Sequence, residues 1–194
     1  APAHWWDDAQ QVLAGRDLQA GGTWLGVSRH GRFAALTNFR DPSDRKPGAP
    51  TRGRLVSEFL QGEASPRQYL ERLQPAAPTF QGFNLLVGDR DVLLCFSSKT
   101  GEVSTITPGV HALSNHTLDE PWPKVQKAKS ALEEALRAKV PGEARQSLIY
   151  ELLSSTKPAP DTALPDTGVG IEWERRLSPV MIVGEQYGTR CSTF

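Results

Sequence analysis

The chain has 194 residues, and 22 basic residues balance 22 acidic ones to give a formal net charge of zero. This length suffices for one sizeable hydrophobic core, and the absence of a net positive field argues against nucleic acid as a partner. Its apolar stretches are far shorter than the roughly 20 residues of a transmembrane helix, so no membrane span is predicted.

The cysteine content and the first residues indicate a compartment. Two cysteines, Cys95 and Cys191, are too few for a disulfide scaffold or a zinc site. The first residues lack the basic and apolar regions of a signal peptide. The sequence therefore predicts a reducing, cytoplasmic location and no metal or other cofactor.

The first third of the chain predicts a hairpin followed by two helices. Apolar, β-rich runs at 23–28 and 32–39 flank a short turn that contains Gly31. Residues 40–52 contain three prolines and form a loop. A helix is then predicted to end at Gly62, and its apolar face is formed by Leu55, Val56, Phe59 and Leu60. Ser65 and Gln68 have the spacing of a capping box at the start of the next helix.

The middle of the chain predicts an antiparallel meander with short turns. Its four predicted strands are 83–88, 92–97, a short one near Val103, and 109–114. Two helices follow, one from Trp122 and one around residues 148–153.

The last part predicts a proline-rich loop and further strands. The loop is 154–168, and strands are expected at 179–183 and at the end of the chain, around Thr193 and Phe194. Sheets covered by segregated helices, an α+β fold, suit this order of elements.

Several sequence strings are more specific than these patterns. They are Gly21–Val27, Ala35–Asp41, Arg52–Val56, Gly82–Leu86, Gly109–Asn115, Leu164–Gly168 and Tyr187–Arg190. In this order they resemble the transport and Golgi organisation (NRDE) family over nearly the whole chain. Residues 1–194 are therefore expected to form a single NRDE-family domain. Family members begin with Met-Cys and contain an Asn-Arg-Asp-Glu segment before the region that matches residue 1. Because neither is present here, the domain is expected to lack its N-terminal strand. The last strand also stops early compared with the family, so the C-terminal end is expected to be missing too.

The family in turn resembles the penicillin V acylase and choloylglycine hydrolase group of N-terminal-nucleophile hydrolases. This resemblance implies a four-layer α/β/β/α sandwich with two mainly antiparallel sheets. It also implies a cysteine nucleophile whose own α-amine acts as the base. Cys95 and Cys191 are internal, so the chain as given is expected to hydrolyse nothing.

The resemblance assigns three polar residues to the site and predicts that they converge on one concave surface. Asn115 and Arg190 correspond to catalytic residues, and Asn38 to a substrate-binding residue. An amide N–H aimed at a developing oxyanion contributes about 2.7–4 kcal/mol in a preorganised site, and an arginine favours a thiolate. Structural roles are equally consistent with the pattern: a strand-end or turn hydrogen bond for Asn38, a cap or turn for Asn115, and an ion pair for Arg190.

The function implied is a cysteine-nucleophile amidohydrolase acting on a small acyl amide. The alternative is a non-catalytic protein that binds or traffics haem or a lipid. The pattern does not specify an oligomeric state.

Other features favour structural interpretations. His111 and His116 lack the spacing of metal ligands. Glu172 and Glu174 would alternate on one face of an extended, solvated segment rather than act as glycosidase carboxylates. The aromatic residues Trp5, Trp6 and Trp24 are expected in the core, with a pocket lining as the alternative.

Overall fold

The computed structural model describes residues 1–185 and 187–193. In this part of the chain it is a mixed α/β structure with one seven-stranded antiparallel sheet and five α-helices. The strands follow one another in sequence order across the sheet. They are β1 (His4–Trp5), β2 (Val12–Ala14), β3 (Leu25–Ser28), β4 (Phe33–Asn38), β5 (Phe83–Gly88), β6 (Leu93–Ser97) and β7 (Val103–Thr105). The α+β class is confirmed, whereas a second sheet is not found among these residues.

Two compact units divide the chain. The first unit comprises residues 1–108 and 115–117, and the second comprises 109–114 and 118 onward. The first contains the sheet and the helices α1 (Gly53–Gln61) and α2 (Pro66–Leu73). The second contains α3 (Pro123–Arg137), α4 (Gly142–Leu153) and α5 (Ile171–Leu177).

The core of the first unit lies between one face of the sheet and the two helices. Residues alternate between the faces of a strand, and in β4 the buried side chains Ala34 and Leu36 face this core. Helix α1 contacts β3, β4 and β5, while α2 contacts β6. The largest buried side chains of the cluster are Trp6, Phe59, Phe83 and Phe96.

Local sequence signals define both helices of this unit. Helix α1 ends before Gly62, as predicted. Ser65 accepts a hydrogen bond from the Gln68 backbone while the Gln68 side chain accepts from the Ser65 backbone, so the predicted capping box is confirmed. Arg32 lies across the end of α1, where its guanidinium donates to the carbonyls of Phe59 (2.9 Å) and Ala64 (2.7 Å).

Three strand predictions in the second unit are wrong or lie partly outside the described residues. The strand at 109–114 is irregular backbone, because the Ala112 N–H donates to the Asp119 side chain instead of a strand partner. Residues 179–181 form bends and residues 182–183 are irregular, and the Met181 N–H donates to the carbonyl of Ser155. Thr193 is not in a strand, and Phe194 lies outside the described residues.

The segment around Glu172 and Glu174 is helix α5 rather than an extended strand. Arg175 makes an ion pair with Glu172 one helical turn away, which stabilises the helical form. Glu174 is 2% exposed and accepts hydrogen bonds from the backbone and the hydroxyl of Thr167. The prediction that these two carboxylates lie at a solvated strand edge is therefore wrong.

Candidate functional site

Two of the three predicted site residues lie together at the end of β4. The Asn115 side-chain amide donates to the backbone carbonyl of Asn38 at 3.0 Å, and the Asn115 carbonyl accepts from the Arg40 backbone at 2.7 Å. Asn38 is exposed, and its side chain makes no hydrogen bond with the described residues. Arg190 is an exposed residue of the second unit.

A cleft of about 550 Å³ lies beside Asn38. Its lining comes from the end of β4, the proline-rich loop at 40–52 and the segment before β5, and includes Phe39, Asp41, Asp44, Arg45 and Arg52. A second cleft of about 320 Å³ shares Pro47, Arg52 and Gln81 with the first. The two clefts therefore adjoin, with Arg52 in the wall of both.

Hydrogen bonds to the segment before β5 hold the proline-rich loop in place. The Asp44 carboxylate accepts from the Gly82 backbone N–H (2.9 Å), and Arg52 donates to the Gly82 carbonyl (2.8 Å). Lys46 donates to the Phe80 carbonyl at 2.7 Å. A Cβ atom on Gly82 would lie 3.0 Å from Asp44 and from Phe39, so this close approach favours glycine.

The carboxylates of the larger cleft are neutralised by lysines. Asp41 pairs with Lys99 at 2.8 Å, and hydrogen bonds from Lys99 and Ser43 lower the pKa of Asp41 to about 2. Partial burial raises the pKa of Asp44, but Lys46 and Lys99 outweigh this effect and the net shift is downward. Both carboxylates are therefore ionised at neutral pH.

Arg45 and Arg52 have no ion-pair partner among residues 1–185 and 187–193. Burial lowers the pKa of Arg52, with a smaller opposing effect from Asp44, yet an arginine keeps its charge under such conditions. The clefts are surrounded by two carboxylates, those of Asp41 and Asp44, and by four cations. Because the cations (Arg45, Lys46, Arg52 and Lys99) outnumber the carboxylates, positive charge is in excess around the clefts. Helix α1 adds to it, because its N-terminus has no side-chain cap and no acidic residue in its first turn.

The smaller cleft has an apolar wall. Trp24 is 49% exposed and lines it together with Pro47 and Pro50. The prediction that these aromatic residues lie in the core is therefore right for Trp6, which is 1% exposed. Trp24 instead lines a pocket, which was the alternative interpretation. Trp5 is 41% exposed, and the Arg29 guanidinium stacks on its ring.

Neither cysteine lines either of the two clefts. Cys95 is buried on β6, and burial raises the pKa of its thiol to about 11. Cys191 is exposed in the second unit. Across the described part of the chain, no group of three or more His, Cys, Asp or Glu side chains is arranged to hold a metal ion. His111 instead contacts Asp119 at 2.6 Å, and the ring of His116 packs on Phe39.

Sequence reasoning did not single out Arg52 as a site residue, although it lies in one of the strings that carry the family resemblance. A long proline-rich loop between a strand and a helix was the available signal, since such loops are often functional. Within the described residues, none of the helices is both long and apolar enough for a membrane crossing.

These features define an α/β protein with a positively charged double cleft at the end of its sheet. The model of the family described as Transport and Golgi organisation 2 matches residues 1–194, and the chain belongs to this family.

Curated relatives agree with this assignment. The chain is similar to the Transport and Golgi organization 2 homolog of Mus musculus, with 30% identity over 203 positions, covering 99% of this chain and 72% of the mouse protein. It is 32% identical to the human homolog over 207 positions, which cover 98% of this chain and 74% of the human protein. The homolog of Bos taurus is 30% identical over 209 positions, with 98% and 74% covered.

Proposed function

We propose that the adjoining clefts bind a small amphipathic molecule with an acidic group, and that the protein is a binding or carrier protein. The observation that carries this proposal is the position of Arg52. It lies in both clefts, is half-buried and has no ion-pair partner among the described residues. A partly desolvated guanidinium binds a carboxylate through strong, charge-assisted hydrogen bonds.

Trp24 and the neighbouring prolines supply the apolar part of the site. A carboxylate on Arg52 would leave the rest of the molecule against the Trp24 ring, which is large, rigid and half-exposed. Lipids and haem, the ligand classes that the family resemblance implies, combine apolar surface with acidic groups. The uncapped start of α1 adds favourable electrostatic potential for the acid.

Binding of a fluorescent long-chain fatty acid and of its methyl ester tests this proposal. We expect Arg52→Met to weaken binding of the acid about 10- to 100-fold, the equivalent of about 1.5–3 kcal/mol for a hydrogen bond to a charged group. Binding of the ester should change little. Arg54→Met is the matched control, since Arg54 is exposed on α1 and lines neither cleft. Equal affinities for acid and ester, or equal effects of the two substitutions, would contradict the proposal.

Haemin provides a second probe, and Trp24→Ala tests the apolar wall. Trp24→Ala should weaken the binding of both the fatty acid and its ester, because it removes contact with the ring and leaves the charge in place. Trp5→Ala is its control, since Trp5 is similarly exposed but lines neither cleft. Haemin binding that depends on Arg52 and Trp24 while the fatty acid does not bind would assign the site to haem.

The amidohydrolase is the second candidate, and Asn38 favours it. Asn38 lines the larger cleft with a side-chain amide that bonds no described residue, which is what a substrate-binding amide requires. The mechanism needs a cysteine with a free α-amine, which Cys95 and Cys191 do not have. In a family-length protein, intact mass would report whether an initiator methionine is retained in front of such a cysteine; retention would eliminate this candidate. Convergence of Arg190 with the two asparagines belongs to the same proposal.

The four-layer sandwich is likewise a proposal, for a protein of the relatives' full length. The sheet face opposite α1 and α2 carries apolar side chains: Leu25 and Val27 are about two-fifths exposed, and Phe33 and Leu86 are half-buried. A second sheet packed on this face would bury them. The family model extends over both units, which supports one domain. A crystal structure of the longer protein with this face in solvent would contradict the sandwich.

A further inference from the structure

A row of polar side chains crosses three neighbouring strands on the sheet face opposite α1 and α2. Thr37 of β4 lies opposite Asn84 of β5, and Asn84 lies opposite Ser97 of β6. Asn84 is fully buried and Ser97 is 8% exposed. The Asn84 Oδ1 atom and the Ser97 Oγ atom are both buried without a hydrogen-bond partner among the described residues. Two such atoms on directly opposed residues are unusual, because buried polar groups are nearly always hydrogen-bonded.

The orientation of the Asn84 amide follows from its other contacts. Its Nδ2 donates to the backbone carbonyl of His116 at 2.7 Å and lies 3.3 Å from the Thr37 hydroxyl. A carbonyl oxygen only accepts, so the nitrogen must face His116 and a flipped amide would place two acceptors together. Oδ1 therefore faces away from His116 and needs a donor, while the Ser97 hydroxyl can donate and accept.

We propose that Asn84 Oδ1 and Ser97 Oγ together bind one buried water molecule. Cβ atoms of directly opposed residues in an antiparallel pair lie about 4.5–5.5 Å apart, a spacing that one water with two hydrogen bonds can bridge. The next pair on the same face, Leu86 and Cys95, offers no strong donor. The water donates to Asn84 Oδ1 and bonds the Ser97 hydroxyl, so both buried atoms are satisfied.

This water has a positioning role beside the larger cleft. It fixes the amide that holds the His116 carbonyl, and the His116 ring packs on Phe39 with a centroid distance of 4.7 Å. Phe39 in turn lines the larger cleft. The polar row thus anchors the 115–117 segment on the sheet face opposite α1 and α2, and it does so whichever ligand the cleft takes.

A crystal structure at about 1.5 Å resolution and NMR on the 194-residue chain test the proposal. We expect a fully occupied water within hydrogen-bond distance of both atoms, and cross-relaxation between the Asn84 side-chain NH2 and a long-lived water. Ser97→Ala should abolish that signal and lower the urea unfolding midpoint. Ser104→Ala, an exposed serine on the neighbouring strand β7, should do neither.

Three results would overturn the assignment. One is a direct hydrogen bond between Ser97 Oγ and Asn84 Oδ1; another is a protein group in place of the water. The third is a Ser97→Ala protein that retains the water signal and unfolds like the Ser104→Ala control. If Ser97→Ala does not fold, Ser97→Thr keeps the hydroxyl and should retain the water signal, and its loss in a folded Ser97→Thr protein would count against the proposal.

Discussion

The side-chain amide of Asn115 donates a hydrogen bond of 3.0 Å to the backbone carbonyl of Asn38, 77 positions away in the sequence. The Asn115 carbonyl simultaneously accepts from the backbone of Arg40. These two bonds attach the 115–117 segment to the end of β4, at the edge of the larger cleft. One hydrogen of the Asn115 amide is therefore engaged structurally, whatever part the second hydrogen takes in binding.

We expect Asn115→Ala to reduce the free energy of unfolding by about 0.5–1.5 kcal/mol, the typical net contribution of one hydrogen bond. Urea unfolding followed by tryptophan fluorescence measures the change. Asn115→Asp keeps the size of the side chain but removes the donor, so it should lose at least as much stability. An unchanged unfolding midpoint for both variants would show that the bond to Asn38 contributes nothing.

The β3–β4 hairpin and the helices α1 and α2 of the first unit could be predicted because their signals are local, whereas the short strands β1 and β2 were not predicted. The hairpin of β3 and β4 has a short turn with a glycine at φ 78° (Gly31), and α2 has a complete capping box. Helix α1 presents its apolar side chains on one face. In each case the neighbouring residues of the chain are sufficient to define the structure.

The second unit was predicted less well because its structure depends on distant partners. The Gly109–Ser114 segment has the composition of a strand, but the Asp119 side chain accepts a hydrogen bond from the Ala112 N–H. Alternating Glu172 and Glu174 fit a strand as well as a helix, and the burial of Glu174 against Thr167 depends on a contact seven positions away. In the first unit, the importance of Arg52 was not evident for the same reason. The shape of the clefts depends on contacts with Gly82, which is 30 positions away in the sequence.

Arg32 should contribute strongly to the stability of the first unit. Its buried guanidinium bonds two backbone carbonyls at the end of α1 and lies 3.9 Å from the ring of Phe59. Arg32→Met keeps the apolar stem but removes the guanidinium bonds, which leaves the Phe59 carbonyl with only its longer bond from the Gly62 N–H (3.3 Å), at a cost of about 1–3 kcal/mol. Arg29→Met, at an exposed position that stacks on exposed Trp5, is the control and should cost less. Equal losses in thermal unfolding would refute this ranking.

Asp119 should make stability depend on acid pH. Partial burial raises the pKa of its carboxyl, but bonds from Lys129, the Ala112 backbone and His111 outweigh this, giving about 2 against an ordinary 3.8. A carboxyl group whose pKa is lower in the folded than in the unfolded state stabilises the protein at pH values above its unfolded-state pKa. This contribution is lost as the pH falls through the folded-state pKa of about 2. The loss therefore falls between about pH 5 and pH 2.

Asp119→Asn removes this titration, so its unfolding free energy should fall less steeply over that pH range than that of the parent chain. Asparagine also tolerates the left-handed backbone of Asp119, whose φ is 59°. The substitution consequently tests the charge rather than the conformation. Parallel pH profiles of unfolding for the two proteins would contradict the assignment.

Gly22 should tolerate no side chain, because the backbone at the start of α1 lies directly against it. A Cβ atom there would be 2.4 Å from the carbonyl carbon and 2.6 Å from the carbonyl oxygen of Gly53. Backbone atoms cannot rotate away as a flexible side chain does, and the Gly53 carbonyl also accepts from Thr23 N–H at 3.1 Å. Gly22→Ala must therefore displace α1, and overpacking of this kind costs about 1–3 kcal/mol.

Gly142→Ala provides the matched control for this clash. A Cβ atom at Gly142 meets nothing within 4 Å, and the residue begins helix α4, where alanine is favoured over glycine by up to about 1 kcal/mol. Gly142→Ala should therefore leave the unfolding midpoint unchanged or raise it, while Gly22→Ala lowers it. Because Gly53 lines the smaller cleft, Gly22→Ala should also weaken binding of the fatty-acid probe, which Gly142→Ala should not affect. If both proteins unfold at the same urea concentration, the close approach of Gly22 to α1 is not a constraint on the fold.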